Sequence, residues 1–138
     1  LNENQGMVEQ VSRTLAHGGH WFLDYFNCDL VLRELGSGKE FSRQRQSGGL
    51  QINETRRYIQ SEGIVAKDVC LKQLPGSNSK MVFPSEGLQY TEKVAVFGLD
   101  QIDDLAGANR FKRVASAGSY DGASLEQGDR WILVYQKG

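Results

Sequence analysis

Turn signals set the main constraint on what this chain can fold into. After an opening helical stretch, glycine- or proline-centred turns recur at Gly36-Ser37-Gly38, Ser47-Gly48-Gly49, Ser61-Glu62-Gly63, Pro75-Gly76-Ser77-Asn78, Ser85-Glu86-Gly87, Asp121-Gly122 and Gln127-Gly128-Asp129. Such short intervals suit strands better than helices. The runs between them are rich in Val, Ile, Phe, Tyr and Trp, and alternation is clearest at Leu50, Ile52 and Tyr58 and at Trp131, Leu133 and Tyr135. About eight candidate strands follow from this rhythm. They are Trp21 to Leu35 with a bend near Cys28, Lys39 to Gln46, Leu50 to Gln60, Ile64 to Leu74, Lys80 to Phe83, Leu88 to Leu99, Arg110 to Ser119 and Arg130 to Gln136.

Two segments carry the helical period instead. Met7, Val8, Val11 and Leu15 predict one short amphipathic helix over Gln5 to His17, ended by Gly18-Gly19. Asp100, Asp103 and Asp104 read as acids at the start of a short helix over Asp100 to Ala108; they lack the order and distal Glu of a calcium loop. The expected fold is therefore mainly β: an antiparallel, barrel-like sheet of about eight strands with a short N-terminal helix. The alternative is an α+β fold on one antiparallel sheet, which follows if Asn53 caps a helix through Ile59 and Val65 to Leu74 is helical.

With 138 residues, the chain is expected to form a single domain over residues 7–138, preceded by a tag or flexible stretch at 1–6. Apolar runs of four or five residues exclude a membrane-spanning helix. A net charge of -1 gives no field to steer nucleic acid or an anionic membrane, so any such contact is local. Cys28 and Cys70 are expected as reduced, buried thiols, which slightly favours the cytoplasm; a single disulfide in an exported protein is the other option.

Few residues announce chemistry. His17 and His20, followed by Asp24, have the spacing of a two-His, one-carboxylate set if a helix runs through them, but Gly18-Gly19 argues against that helix. The sequence has no Cys-x-x-Cys, no phosphate-binding loop, no Gly-x-Ser-x-Gly elbow and no His-Glu-x-x-His helix. No metal, no cofactor and no catalytic residue is expected, and binding is favoured over catalysis.

Gly19-His20-Trp21 directly follows the first helix, and Arg130 heads the last strand. A Gly-x-Trp opening with a basic residue on the closing strand resembles the lipocalin and fatty-acid-binding (calycin) β-barrels. That resemblance implies barrel closure by Trp21 under Arg130, with a small ligand held inside. Strand phase puts Phe41, Arg43 and Arg45 on one face, and Ile52, Arg56 and Tyr58 on one face. Cations facing a cavity need an anionic partner. The expected partner is a small, partly apolar molecule with an acidic headgroup, bound by Arg43, Arg45, Arg56 and Tyr58, with Tyr25 and Phe97 lining the wall. Arg56-Arg57-Tyr58 also resembles in form the Arg-x-Tyr pair of fatty-acid-binding barrels.

Three other functions compete. Arg33, Lys39, Arg43, Arg45, Arg56 and Arg57, with Phe41 and Tyr58 interleaved, have the composition of a single-strand nucleic-acid surface, although nucleic acid is disfavoured by the overall charge. A small phosphodiester-cleaving or toxin-like domain would use His17 or His20. A protein-interaction module would use an exposed strand edge, and self-association is left open.

Overall fold

The computed structural model describes residues 2–77 and 83–138. In chain order the elements are α1 (Asn2–Thr14), β1 (His20–Phe26), α2 (Cys28–Leu35), a 3-10 turn (Gly36–Gly38), β2 (Glu40–Ser47), β3 (Leu50–Ile59), β4 (Ile64–Gln73), β5 (Leu88–Ala95), α3 (Leu99–Ala108), β6 (Phe111–Ala117) and β7 (Arg130–Lys137). Two compact units result. One comprises the chain up to Val31 together with Phe97–Gly138; the other is Leu32–Val96.

In the first unit β7 lies between β1 and β6 and is antiparallel to both. The two-residue alternation of β7 explains its place: Trp131, Leu133 and Tyr135 all point to one face and are buried. The register sets Tyr25 opposite Trp131, Leu23 opposite Leu133 and Trp21 opposite Tyr135, so that face is continuous and aromatic. Trp21 packs 5.4 Å from both Phe111 and Tyr135, centroid to centroid. Helix α3 covers this face through buried Ile102 and Ala106, and its Asp103 accepts the Tyr135 hydroxyl at 2.7 Å. Lys137 fixes α1, because its ammonium donates to the carbonyls of Ser12 and Leu15 at the end of that helix.

The second unit is a meander, β2-β3-β4-β5, antiparallel throughout. Ser47 pairs with Leu50, leaving Gly48 and Gly49 as a two-residue turn with φ of 56° and 77°. Both turn residues of a type I′ hairpin need positive φ, which is what a Gly-Gly pair provides. One face of the sheet is polar, with Ser42, Thr55, Asp68 and Thr91 in a row across it. The other mixes apolar residues with cations, and Ile52, Val65 and Val69 are buried there.

Several expectations are corrected. The strands form two open sheets of three and four strands among the described residues, with no closed barrel. Arg130 does not lie over Trp21: it pairs opposite Phe26 and bonds Asp24, while Trp21 belongs to the aromatic face. The long strand over Trp21 to Leu35 stops at Phe26. Asn27 caps a helix there, its carboxamide oxygen accepting the amides of Asp29 and Leu30, and Cys28, Val31, Leu32 and Leu35 follow at helical spacing. The alternative helices within residues 53–74 are absent, since Asn53 sits in the ladder opposite Cys70. The strand expected over Lys80 to Phe83 lies outside the described residues except for Phe83, which is irregular. No helix among the described residues is long and apolar enough to cross a membrane.

Candidate functional site

The pairing register decides which expected site residues meet. Phe41 lies opposite Arg56, Arg43 opposite Glu54 and Arg45 opposite Ile52, while Tyr58 follows Arg56 two residues along β3. Arg43, Arg45, Arg56 and Tyr58 therefore share one face of the second unit's sheet. Arg57 points the other way and is committed to Asp68. Two carboxylates stand on the cationic face. Glu54 is buried, with Arg45 at 3.8 Å and Lys67 at 4.0 Å, and Lys67 also bridges Glu92 at 2.6 Å. Arg43 and Arg56 have no carboxylate partner among the described residues. Phe41, opposite Arg56 and two residues before Arg43 on β2, is nearly half exposed at 46%.

The opposite face is a polar trough. A cavity of about 340 Å³ lies over Asn53, Thr55, Asp68, Cys70, Gln89 and Thr91. The Thr91 hydroxyl donates to Asp68 at 2.6 Å, and together with Arg57 it holds that carboxyl below its ordinary range. Both Asp68 oxygens are thus engaged inside the sheet.

Tyr25 and Phe97, expected as cavity wall, belong to the first unit, where the Phe97 amide donates to the Tyr25 hydroxyl at 3.2 Å. Burial pushes the Tyr25 phenol up to about 12, so it stays neutral. Burial and the charge of Asp29 raise the Cys28 thiol to about 12, which favours its neutral form. Both cysteines are free.

The histidine cluster does not form. Helix α1 ends at Thr14, His17 lies in the following turn, and His20 and Asp24 are four residues apart along β1, about 13 Å in extended chain. Asp24 instead accepts Arg130 at 2.6 Å and the Tyr120 hydroxyl at 2.8 Å. Burial alone would raise its carboxyl; those two hydrogen bonds and the Arg130 charge outweigh it and hold the group below its ordinary value. No group of three or more metal-ligating side chains occurs among the described residues.

Asn27 is a structural centre that the strand reading of Trp21 to Leu35 passed over. Beyond capping α2, its buried carboxamide nitrogen donates to the carbonyls of Leu125 and Gly128 at 3.0 and 2.8 Å, tying the β6–β7 loop to the end of β1. An Asn directly before a run with helical spacing was the available signal.

The two edges of the first sheet differ. The β6 edge is broken by a register shift between Arg113 and Ala115, a device that discourages strand addition. The β1 edge is regular over seven residues. Beside it, an apolar groove of about 600 Å³ is lined by Met7, Val11, Leu15, Trp21 and Phe22 among others, with Met7 and Phe22 each at least half exposed.

No protein-family model matches the sequence, and no curated protein matches it. Solved structures do share its fold. An S-adenosylmethionine-dependent methyltransferase from Clostridium acetobutylicum ATCC 824 superposes with a TM-score of 0.74 at 11% identity, covering 99% of this chain and 52% of the methyltransferase. The CcbJ methyltransferase from Streptomyces caelestis gives 0.73 at 9% identity, over 99% and 54%. SAM-bound CalS10, an amino pentose methyltransferase from Micromonospora echinaspora, gives 0.58 at 13% identity, over 99% and 51%. The chain thus spans about half the length of these structures, and at such identities the likeness is one of fold. It overturns the lipocalin and fatty-acid-binding resemblance and, with it, the ligand-carrying barrel. None of these structures is a phosphodiester-cleaving domain or a stand-alone interaction module, and those two readings fall with the barrel.

Proposed function

We propose that this chain is the sheet-closing and acceptor-binding portion of an S-adenosylmethionine-dependent methyltransferase that acts on a small molecule. The observation that carries this reading is the fold match over 99% of the chain to two methyltransferases at TM-scores of 0.74 and 0.73. The open β1 edge supports it. A regular edge strand flanked by exposed Met7, exposed Phe22 and an apolar groove is the surface a further strand and its helix would cover. The methyltransferases are about twice as long, so the covering element in this reading comes from the half of such a protein that this chain does not match.

S-adenosylmethionine supplies an electrophilic methyl group on a sulfonium, and a doubly wound sheet commonly holds a nucleotide at a glycine-rich turn from strand to helix. The described residues do not fit that task. The strand-to-helix turn of the first unit is closed by Asn27, whose carboxamide oxygen already occupies the Asp29 and Leu30 amides. The Gly48-Gly49 pair sits in a strand-to-strand hairpin. Holding the methyl donor therefore falls, in this proposal, to the half of such a protein that this chain does not match, while this chain contributes the second unit's four-stranded sheet for the acceptor.

Equilibrium dialysis against labelled S-adenosylmethionine tests the division of labour. The 138-residue chain alone is expected to retain none, and the protein expressed from its native gene is expected to retain it. Retention by neither would sink the proposal.

A further inference from the structure

The cationic face of the second unit has two guanidiniums that its own carboxylates do not neutralise. Arg43, Arg45, Arg56 and Lys67 stand there against Glu54 and Glu92. Both carboxylates are already engaged, Glu54 between Arg45 and Lys67 and Glu92 with Lys67. Two positive charges are left over, on Arg43 and Arg56. They are diagonal neighbours across β2 and β3, a relation that sets Cα atoms about 7 to 8 Å apart, within reach of one shared small anion for side chains this long. Arg43 is exposed and Arg56 half-buried. The half-buried Tyr58 follows on the same face and offers a hydroxyl, and exposed Phe41, directly opposite Arg56, offers an apolar surface.

We propose that Arg43, Arg56 and Tyr58, with Phe41 beside them, form an anchoring site for the methyl acceptor, which is a small molecule joining an anionic oxygen headgroup, carboxylate or phosphate, to an apolar group about the size of an aryl ring. Guanidinium forks bind both headgroups bidentately through charge-assisted hydrogen bonds, and the Phe41 ring takes the apolar body. The role as substrate rests on the methyltransferase reading; the anion site itself rests on the sheet alone.

The test therefore uses the chain without any methyl donor. Calorimetric titrations compare 3-phenylpropionate, phenyl phosphate and the neutral 3-phenylpropanol. Binding of at least one anion, with the alcohol much weaker, is expected, and the stronger anion identifies the headgroup. Arg56→Gln and Arg43→Gln are each expected to weaken that binding about tenfold or more. Lys93→Gln, an exposed cation on the opposite face, is expected to leave it unchanged. Circular dichroism checks that each variant is folded, and exposed Arg43 provides a test that does not disturb the interior. Equal binding of the alcohol, equal loss in Lys93→Gln, or binding of neither anion would each overturn the site.

Discussion

Arg56 and Arg57 are adjacent in sequence and lie on opposite faces of the same sheet, Arg57 bonded to Asp68 and Arg56 without a carboxylate partner among the described residues. Strand geometry imposes the separation, because successive side chains point to opposite sides. The same rule separates Arg57 from Arg43, Arg45 and Arg56 among the six cations that looked like one basic patch, and Arg33 lies on α2 rather than on the sheet. Only part of them can meet a single ligand.

The free β1 edge leads to a prediction about the chain in isolation. A regular, uncovered edge beside an apolar groove is a template for self-association, so the isolated chain is expected to form concentration-dependent oligomers. Phe22→Glu, which places a charge on the exposed side of β1, is expected to shift it towards monomer in sedimentation velocity runs. Unchanged oligomers in that variant would place the association elsewhere.

Asn27 is expected to be worth more than an ordinary surface cap. Asn27→Ala removes the acceptor for two helix amides and leaves the carbonyls of Leu125 and Gly128 without their donor. The cap and the two buried acceptors together suggest a loss of about 2 to 4 kcal/mol, measurable as a lower urea midpoint. Asn27→Asp keeps the cap acceptor but turns its second carboxylate oxygen onto the carbonyls of Leu125 and Gly128 in a buried site, and is expected to lose at least as much as Asn27→Ala.

Gly118 and Gly128 pack backbone against backbone. A Cβ built on Gly128 would lie 1.6 Å from the Gly118 carbonyl oxygen, so Gly128→Ala forces the β6–β7 loop to move. The expected cost is at or above the roughly 3 kcal/mol of ordinary overpacking. Hydrogen exchange is expected to show the loss concentrated in residues 118–130, the segment that Asn27 holds.

Acid sensitivity is expected to involve Asp24. Arg130 and Tyr120 hold its folded-state carboxyl below its ordinary value of 3.8, so the folded protein binds this proton less readily than the unfolded chain does. The stabilisation is complete above the unfolded value and is lost as pH falls through the lowered folded one. Urea midpoints measured from pH 6 down to pH 3 are expected to fall less steeply in Asp24→Asn than in wild type. Parallel curves would show that Asp24 does not contribute to the acid sensitivity.

Local chemistry made much of the secondary structure legible. Gly48-Gly49 announced its hairpin, the alternation of Trp131, Leu133 and Tyr135 announced a buried strand, and Met7, Val8, Val11 and Leu15 announced α1. The junction after Phe26 was misread, because a run rich in Leu and Val fits a strand or a helix until its spacing is weighed against the Asn before it. Sheet closure was not legible at all. Eight short strand signals are arithmetic for one barrel or for two open sheets, and only non-local pairing distinguishes them. The methyltransferase likeness left no local trace either, since the described residues include no glycine-rich turn from strand to helix.

Methyl transfer is the most direct test of the central claim. The protein expressed from its native gene is incubated with methyl-labelled S-adenosylmethionine and a panel of small aryl and alkyl acids, and products are separated by mass. Label is expected in a small molecule that has gained one methyl group, with turnover reduced in Arg56→Gln and unaffected in Lys93→Gln. A protein that binds the labelled donor yet transfers its methyl group to no small molecule, or that never binds the donor, would contradict it.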